Sequence, residues 1–148
     1  MKVLVINGPN LNFLGIREVA LYGKMDYNQV CQTIQKKCAD LNIVCEIFQS
    51  NHEGAIIDKL QEAYYDSTTM GIVMNPGAYG HYSYAIHDAI TSIKKPVVEV
   101  HITDIRAREE EWRHTSVIED ACVKTIIGHG INGYLEGIDY LVENYGRR

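Results

Sequence analysis

Short apolar, β-branched runs alternate along the chain with longer stretches whose apolar residues recur every three or four positions. Lys2–Asn7 (KVLVIN) has the first pattern and predicts a strand. Residues 26–41 have the second, with Tyr27, Val30, Ile34, Cys38 and Leu41 along one helical face. The alternation continues with a strand over 43–49 and a helix over 53–64, whose face carries Ile56, Ile57, Leu60 and Tyr64. A strand over 71–75 and a helix over 82–94, stopped by Pro96, come next. Val97–His101 is a fourth strand and 125–128 a short fifth. Between them, the charged and broken segment 106–121 predicts one or two short helices. The last helix spans 132–144, and residues 146–148 are expected to fray.

Strands alternating with helices build a parallel sheet covered on both faces. With right-handed crossovers and five strands, the expectation is an α/β, flavodoxin-like, doubly wound parallel sheet with helices on both faces. Nothing in the chain resembles a repeat, a low-complexity tract or a linker, so residues 1–148 are expected to form one domain.

The polar positions gather at one edge of that sheet. In an open parallel sheet, ligands sit beyond the carboxyl ends of the strands. The first strand runs into Asn7-Gly8-Pro9-Asn10-Leu11-Asn12, the second into Gln49-Ser50-Asn51-His52-Glu53. The third runs into Asn75-Pro76-Gly77-Ala78-Tyr79-Gly80-His81, and the fourth carries Glu99 and His101 before Ile102-Thr103-Asp104. One such end would be ordinary turn chemistry. Four on the same edge describe a polar cleft. The connection over 8–25 has eighteen residues, whereas a strand-to-helix loop usually has about two to six. Its Phe13, Leu14, Ile16, Leu21 and Tyr22 make it too apolar for a disordered tail. Gly15 and Gly23 flank Arg17 and Tyr22 as hinges, which predicts an active-site lid.

Composition narrows the function classes. The 14 basic and 19 acidic residues give a net charge of −5, without the basic stripe expected of a nucleic-acid binder. A small anionic substrate feels local arginines more than net charge. No apolar run approaches a membrane span. The opening Met-Lys-Val-Leu-Val-Ile-Asn-Gly is unlike a secretory signal. Cys31, Cys38, Cys45 and Cys122 form no C-x-x-C pair, and the economical expectation is reduced thiols in a cytoplasmic protein. No His, Asp or Glu set has metal-ligand spacing, and no glycine-rich phosphate loop follows the first strand, so neither metal nor cofactor is expected. Ten tyrosines against two phenylalanines and one tryptophan hint at oligomerisation.

Each candidate for chemistry has a plainer alternative. A guanidinium beside a phenol stabilises the phenolate, so Arg17 and Tyr22 together can make a general base. The alternative is an exposed arginine and a loop-anchoring tyrosine. His101, at the end of a buried strand, can donate a proton to a leaving group, with Glu99 on the same side of the strand to orient it; a satisfied structural histidine is equally consistent. Asn75 and His81 bracket a Pro-Gly turn that suits an anion or hydroxyl, or that merely caps a helix. Asn10 and Asn12 can hold a water or an oxyanion, or simply form a turn. The stretch from Arg106 through Arg108 to Arg113 can supply a carboxylate clamp, or be a solvated face with Glu109 pairing Arg113.

The assembled motifs are specific. Asn7-Gly-Pro-Asn-Leu-Asn12, Leu14-Gly-x-Arg17-Glu18, Tyr22-Gly23, Ser50-Asn-His-Glu-Gly54, Asn75-Pro-Gly-Ala-Tyr79 with His81, and Glu99-Val-His101 occur in this order along essentially the whole chain. In these the chain resembles the type II 3-dehydroquinate dehydratases. The resemblance implies a flavodoxin-like fold, a dodecamer of four trimers, and anti elimination of water from 3-dehydroquinate to 3-dehydroshikimate in the shikimate pathway, without metal, nucleotide or Schiff base. It implies Tyr22 as the base at C2, Arg17 as stabiliser of the phenolate, Asn12 as holder of the water that stabilises the enolate, and His101, supported by Glu99, as the acid. Asn75, His81, Ile102, Thr103 and Arg113 match substrate-binding positions, and Asp88 matches a residue approaching the site of a neighbouring subunit. Val19, Gly80 and Asp104 depart from the family's usual residues, and the run Glu109-Glu110-Glu111 before Trp112-Arg113 is one residue longer than usual. Arg113 is therefore the expected carboxylate clamp, with Arg108 as the alternative. On the residues alone, a catalytically silent small-ligand module and a different cofactor-free lyase stay open.

Overall fold

Five strands form, and they pair in parallel in the order β2-β1-β3-β4-β5. They are β1 (Lys2–Asn7), β2 (Val44–Gln49), β3 (Thr69–Asn75), β4 (Val97–His101) and β5 (Lys124–Ile127). The helices are α1 (Val19–Tyr22), α2 (Tyr27–Asp40), α3 (Glu53–Tyr65), α4 (Tyr84–Ile93) and α5 (Asn132–Tyr145). This computed structural model describes residues 1–146; Arg147 and Arg148, part of the tail expected to fray, lie outside the described residues. The strand order is that of flavodoxin-like sheets, with its direction of winding reversing between β1 and β3.

Strand alternation decides what each face buries. Val3, Val5, Val73, Val98 and Val100 point to the layer holding α2 and α5, where they meet Val30, Ile34, Ile138 and Leu141. Leu4, Ile6, Ile72, Met74 and Val97 point to the layer of α3 and α4, against Ile56, Leu60, Ile86 and Ile90. No helix among the described residues is long and apolar enough to cross a membrane.

The helix starts follow local chemistry. Asp26 caps α2 in a capping box with Gln29, so the helix begins at Tyr27, the first residue of the apolar pattern and one residue after the expected start at 26. Helix α4 begins at Tyr84 rather than at 82, because the Ser83 hydroxyl accepts from the Ile86 N–H. Gly77–His81 ahead of it is a separate 3-10 turn. The segment over 106–121 resolves into 3-10 turns at Ile105–Ala107, Glu111–His114 and Glu119–Ala121.

The long first connection is folded. The 3-10 turn Leu11–Phe13 buries Leu11, Leu14 follows it into the core, and α1 stands alone between Glu18 and Gly23. Gly23 closes α1 at φ 88°, in the left-handed region where a side chain would be strained. Gly8 serves by its size. A Cβ there would meet the Pro76 carbonyl oxygen at 2.3 Å, and its absence lets the ends of β1 and β3 touch.

Candidate active site

The ends of β1, β3 and β4, together with the 8–25 connection, surround a cavity of about 580 Å³ including its mouth. That is the scale of a small-molecule site. Its floor is a buried polar network at the point where the sheet reverses direction. The hydroxyl of Tyr134, fully buried on α5, donates to Asn7 Oδ1 at 2.6 Å and accepts from Asn75 Nδ2 at 3.0 Å. The Gly77 N–H donates to Asn75 Oδ1 at 3.1 Å, and Asn7 Nδ2 donates to the Tyr27 hydroxyl at 3.3 Å. The Asn75 amide is thereby fixed in orientation, with one N–H left over at the cavity wall. Burial pushes the Tyr134 phenol well above its ordinary range, so it stays a neutral donor. Tyr134→Phe would leave two buried amides short of a partner, which costs about 1–3 kcal/mol. The expected result is a melting midpoint lower by several degrees in thermal denaturation. An unchanged midpoint would mean that water replaces the hydroxyl.

Two guanidinium groups converge on the lid tyrosine. Arg17 Nη2 donates to the Tyr22 hydroxyl oxygen at 3.0 Å, and Arg108 Nη1 donates to it at 3.3 Å. The Arg17 guanidinium also lies 4.6 Å from the centre of the Tyr22 ring. Two cationic donors thus meet on one phenol oxygen. Arg108 also donates to Thr103 Oγ1 at 3.3 Å, joining the lid to the loop after β4. Burial works against the Arg108 charge, but the Tyr22 oxygen and the nearby Glu18 and Glu110 outweigh it, and the guanidinium is held more firmly protonated than usual.

Two histidines face the same cavity with defined tautomers. His101, at the end of β4, donates from Nε2 to Glu99 Oε2 at 2.5 Å. Glu99 is fully buried, as its position on a central strand dictates. With Nε2 engaged by Glu99, Nδ1 is the ring nitrogen left for other partners. His81 Nδ1 lies 2.8 Å from the Thr115 carbonyl, which can only accept, so Nδ1 carries the hydrogen and Nε2 is an acceptor. Burial lowers the His81 proton affinity, and its ring stacks 6.1 Å from that of His101.

The structure brings Arg17, Tyr22, Asn75, His81, His101, Ile102, Thr103 and Arg113 to this cavity, with Glu99 behind His101. It also brings Arg108, and both arginines left open by the sequence therefore line the wall. Arg113 Nε is buried near Glu110, 3.3 Å away. Asn12 is not brought in. The 3-10 turn that buries Leu11 sends Asn12 outward, and Asn10 lines the cavity instead. Asp88 lies outside as well, exposed on α4 and 3.2 Å from His87 Nδ1. Sequence reasoning missed Tyr134, and also Ser116 and Thr125, which donate to Glu99. Of these only Thr125 left a trace, as a hydroxyl in an apolar strand. No acidic residue and no lysine lines the cavity, against three arginines. Among the described residues, no group of three or more His, Cys, Asp or Glu is positioned to hold a metal ion.

Comparison with known proteins gives a consistent result. The family model described as dehydroquinase class II matches residues 1–142. A 3-dehydroquinate dehydratase of Lachnospira eligens is 53% identical over 144 residues, 97% of each chain. The crystal structure of a type II dehydroquinase from Butyrivibrio crossotus superposes with a TM-score of 0.92 at 56% identity, covering 95% of this chain and 97% of that one. That of a type II dehydroquinase from Propionibacterium acnes gives 0.91 at 36% identity, covering 97% of both.

Proposed function

Because the chain belongs to the class II dehydroquinase family, we propose that its cavity removes water from 3-dehydroquinate by anti elimination, giving 3-dehydroshikimate for the shikimate pathway. The observation that carries this reading is a phenol oxygen held by two guanidinium groups in the same cavity as a carboxylate-backed imidazole. The reaction needs that pair. A C–H beside a ketone is a weak acid, and a hydroxyl one carbon further on leaves only if it is protonated as it departs.

Tyr22, as phenolate, takes the proton from C2. The electron pair moves to the ketone oxygen and forms an enolate. His101 then gives its Nδ1 proton to the C1 hydroxyl, which leaves as water while the C1–C2 double bond forms. Arg17 and Arg108 stabilise the charge on Tyr22 before the transfer. Asn75 and His81, with the Ile102 and Thr103 segment, bind substrate hydroxyls, and Arg113 clamps the carboxylate. With no lysine in the lining, an imine has no partner there.

The enzyme works as a dodecamer of four trimers in the cytoplasm, and Asp88, exposed on α4, reaches the site of a neighbouring copy. The direct test is to mix the protein with 3-dehydroquinate and follow the ultraviolet absorbance of the conjugated enone. A steady rise is expected. A flat trace at high enzyme concentration would overturn the proposal.

A further inference from the structure

The buried Glu99 carboxylate accepts from three side chains on three separate segments. His101 Nε2 and the Ser116 hydroxyl both donate to Oε2, each at 2.5 Å, and the Thr125 hydroxyl donates to Oε1 at 3.2 Å. Thr125 stands directly opposite Glu99 in the pairing of β4 with β5. Ser116 comes from an irregular strap whose neighbours are all fixed. The Thr115 carbonyl holds His81, the Val117 N–H donates to the Gly80 carbonyl at 2.8 Å, and Ile118 is fully buried. One short strap thus reaches both cavity histidines, His81 through its backbone and His101 through Ser116 and Glu99.

We propose that Ser116 and Thr125 are positioning residues of the elimination, holding Glu99 in the single orientation in which it backs His101. The proposal rests on the reading of His101 as the acid. A carboxylate with one partner can turn about its last torsion, whereas one saturated on both oxygens cannot. The two hydroxyls also share the negative charge. Without them more of it is left for His101, whose imidazolium then releases its proton less readily. The other titratable groups that feel the Glu99 charge are His81, which also faces Arg113, and Cys122, whose thiol is pushed up by burial and then by Glu99.

The experiment compares Ser116→Ala, Thr125→Val, Ser116→Thr and His101→Ala with the native chain, measuring kcat and KM for 3-dehydroquinate across pH. Ser116→Ala is expected to lower kcat about tenfold, and Thr125→Val about threefold, with KM within about twofold, as for a group acting on the chemical step. The alkaline limb of the kcat profile is expected to move upward, and Ser116→Thr, which keeps the hydroxyl, to restore both kcat and the limb. A merely structural role would leave the limb where it is. Native kcat and an unmoved limb in both hydroxyl-less variants, with His101→Ala inactive, would overturn this inference alone. Native turnover in His101→Ala would overturn the reading on which it rests. If Ser116→Ala does not fold, Thr125→Val reads the same limb from a different segment.

Discussion

Tyr22→Phe is expected to lower kcat by about 10²–10⁴-fold, the range set by a positioned proton-transfer group. The substitution removes one oxygen and leaves the ring beneath the Arg17 guanidinium. The arginines keep other partners. Arg17 retains Glu18 at 3.4 Å, and Arg108 retains Thr103 at 3.3 Å. The lid therefore has no cause to unfold, and KM and the melting midpoint should change little. This separates the chemical role from the anchoring one. A tyrosine that merely pins the loop would, when lost, raise KM and loosen the lid, with kcat following only in part. Steady-state kinetics with 3-dehydroquinate and a thermal melt of the same preparation decide between them. Turnover within about tenfold of native would remove Tyr22 as the base.

The sheet was legible because its signals are local. The Lys2–Asn7 run, Pro96 ahead of β4 and the face carrying Val30, Ile34 and Cys38 each need only their own neighbourhood, and parallel pairing follows from the alternation. The boundaries that moved did so for reasons periodicity does not encode. The spacing from Tyr82 onward resembles a helix, yet the Ser83 hydroxyl at the Ile86 N–H fixes where α4 starts. The 8–25 connection looked like a loop because its turns are too short to show a period.

The cavity edge was legible for the same reason, since each polar strand end announces itself. The pairings across it were not. Arg108 meets Tyr22 across 86 residues, and Tyr134 meets Asn7 across 127. Nothing in the helical face of α5 marks its tyrosine as the bridge between two strand-end asparagines rather than as packing. Asn12 shows the converse. Leu11 and Leu14 claim the core, so Asn12 and Phe13 between them face outward whatever their chemistry suggests.

His101 can be tested so that its chemical and structural roles part. His101→Ala removes the acid but also takes a donor from a fully buried carboxylate. Breaking a buried pair on one side costs about 3–5 kcal/mol, softened here because Ser116 and Thr125 still donate to Glu99. His101→Gln changes only one of these things. Its amide N–H can replace Nε2 as donor to Glu99, but an amide has no proton to deliver to a departing hydroxyl. The two variants should therefore lose kcat to a similar extent, about 10²–10⁴-fold, while their melting midpoints differ, Ala low and Gln near native. A glutamine variant that keeps native turnover would mean that the ring serves only to satisfy Glu99, and that the proton reaches the leaving oxygen from another group, with His81 the nearest candidate through its stacked ring.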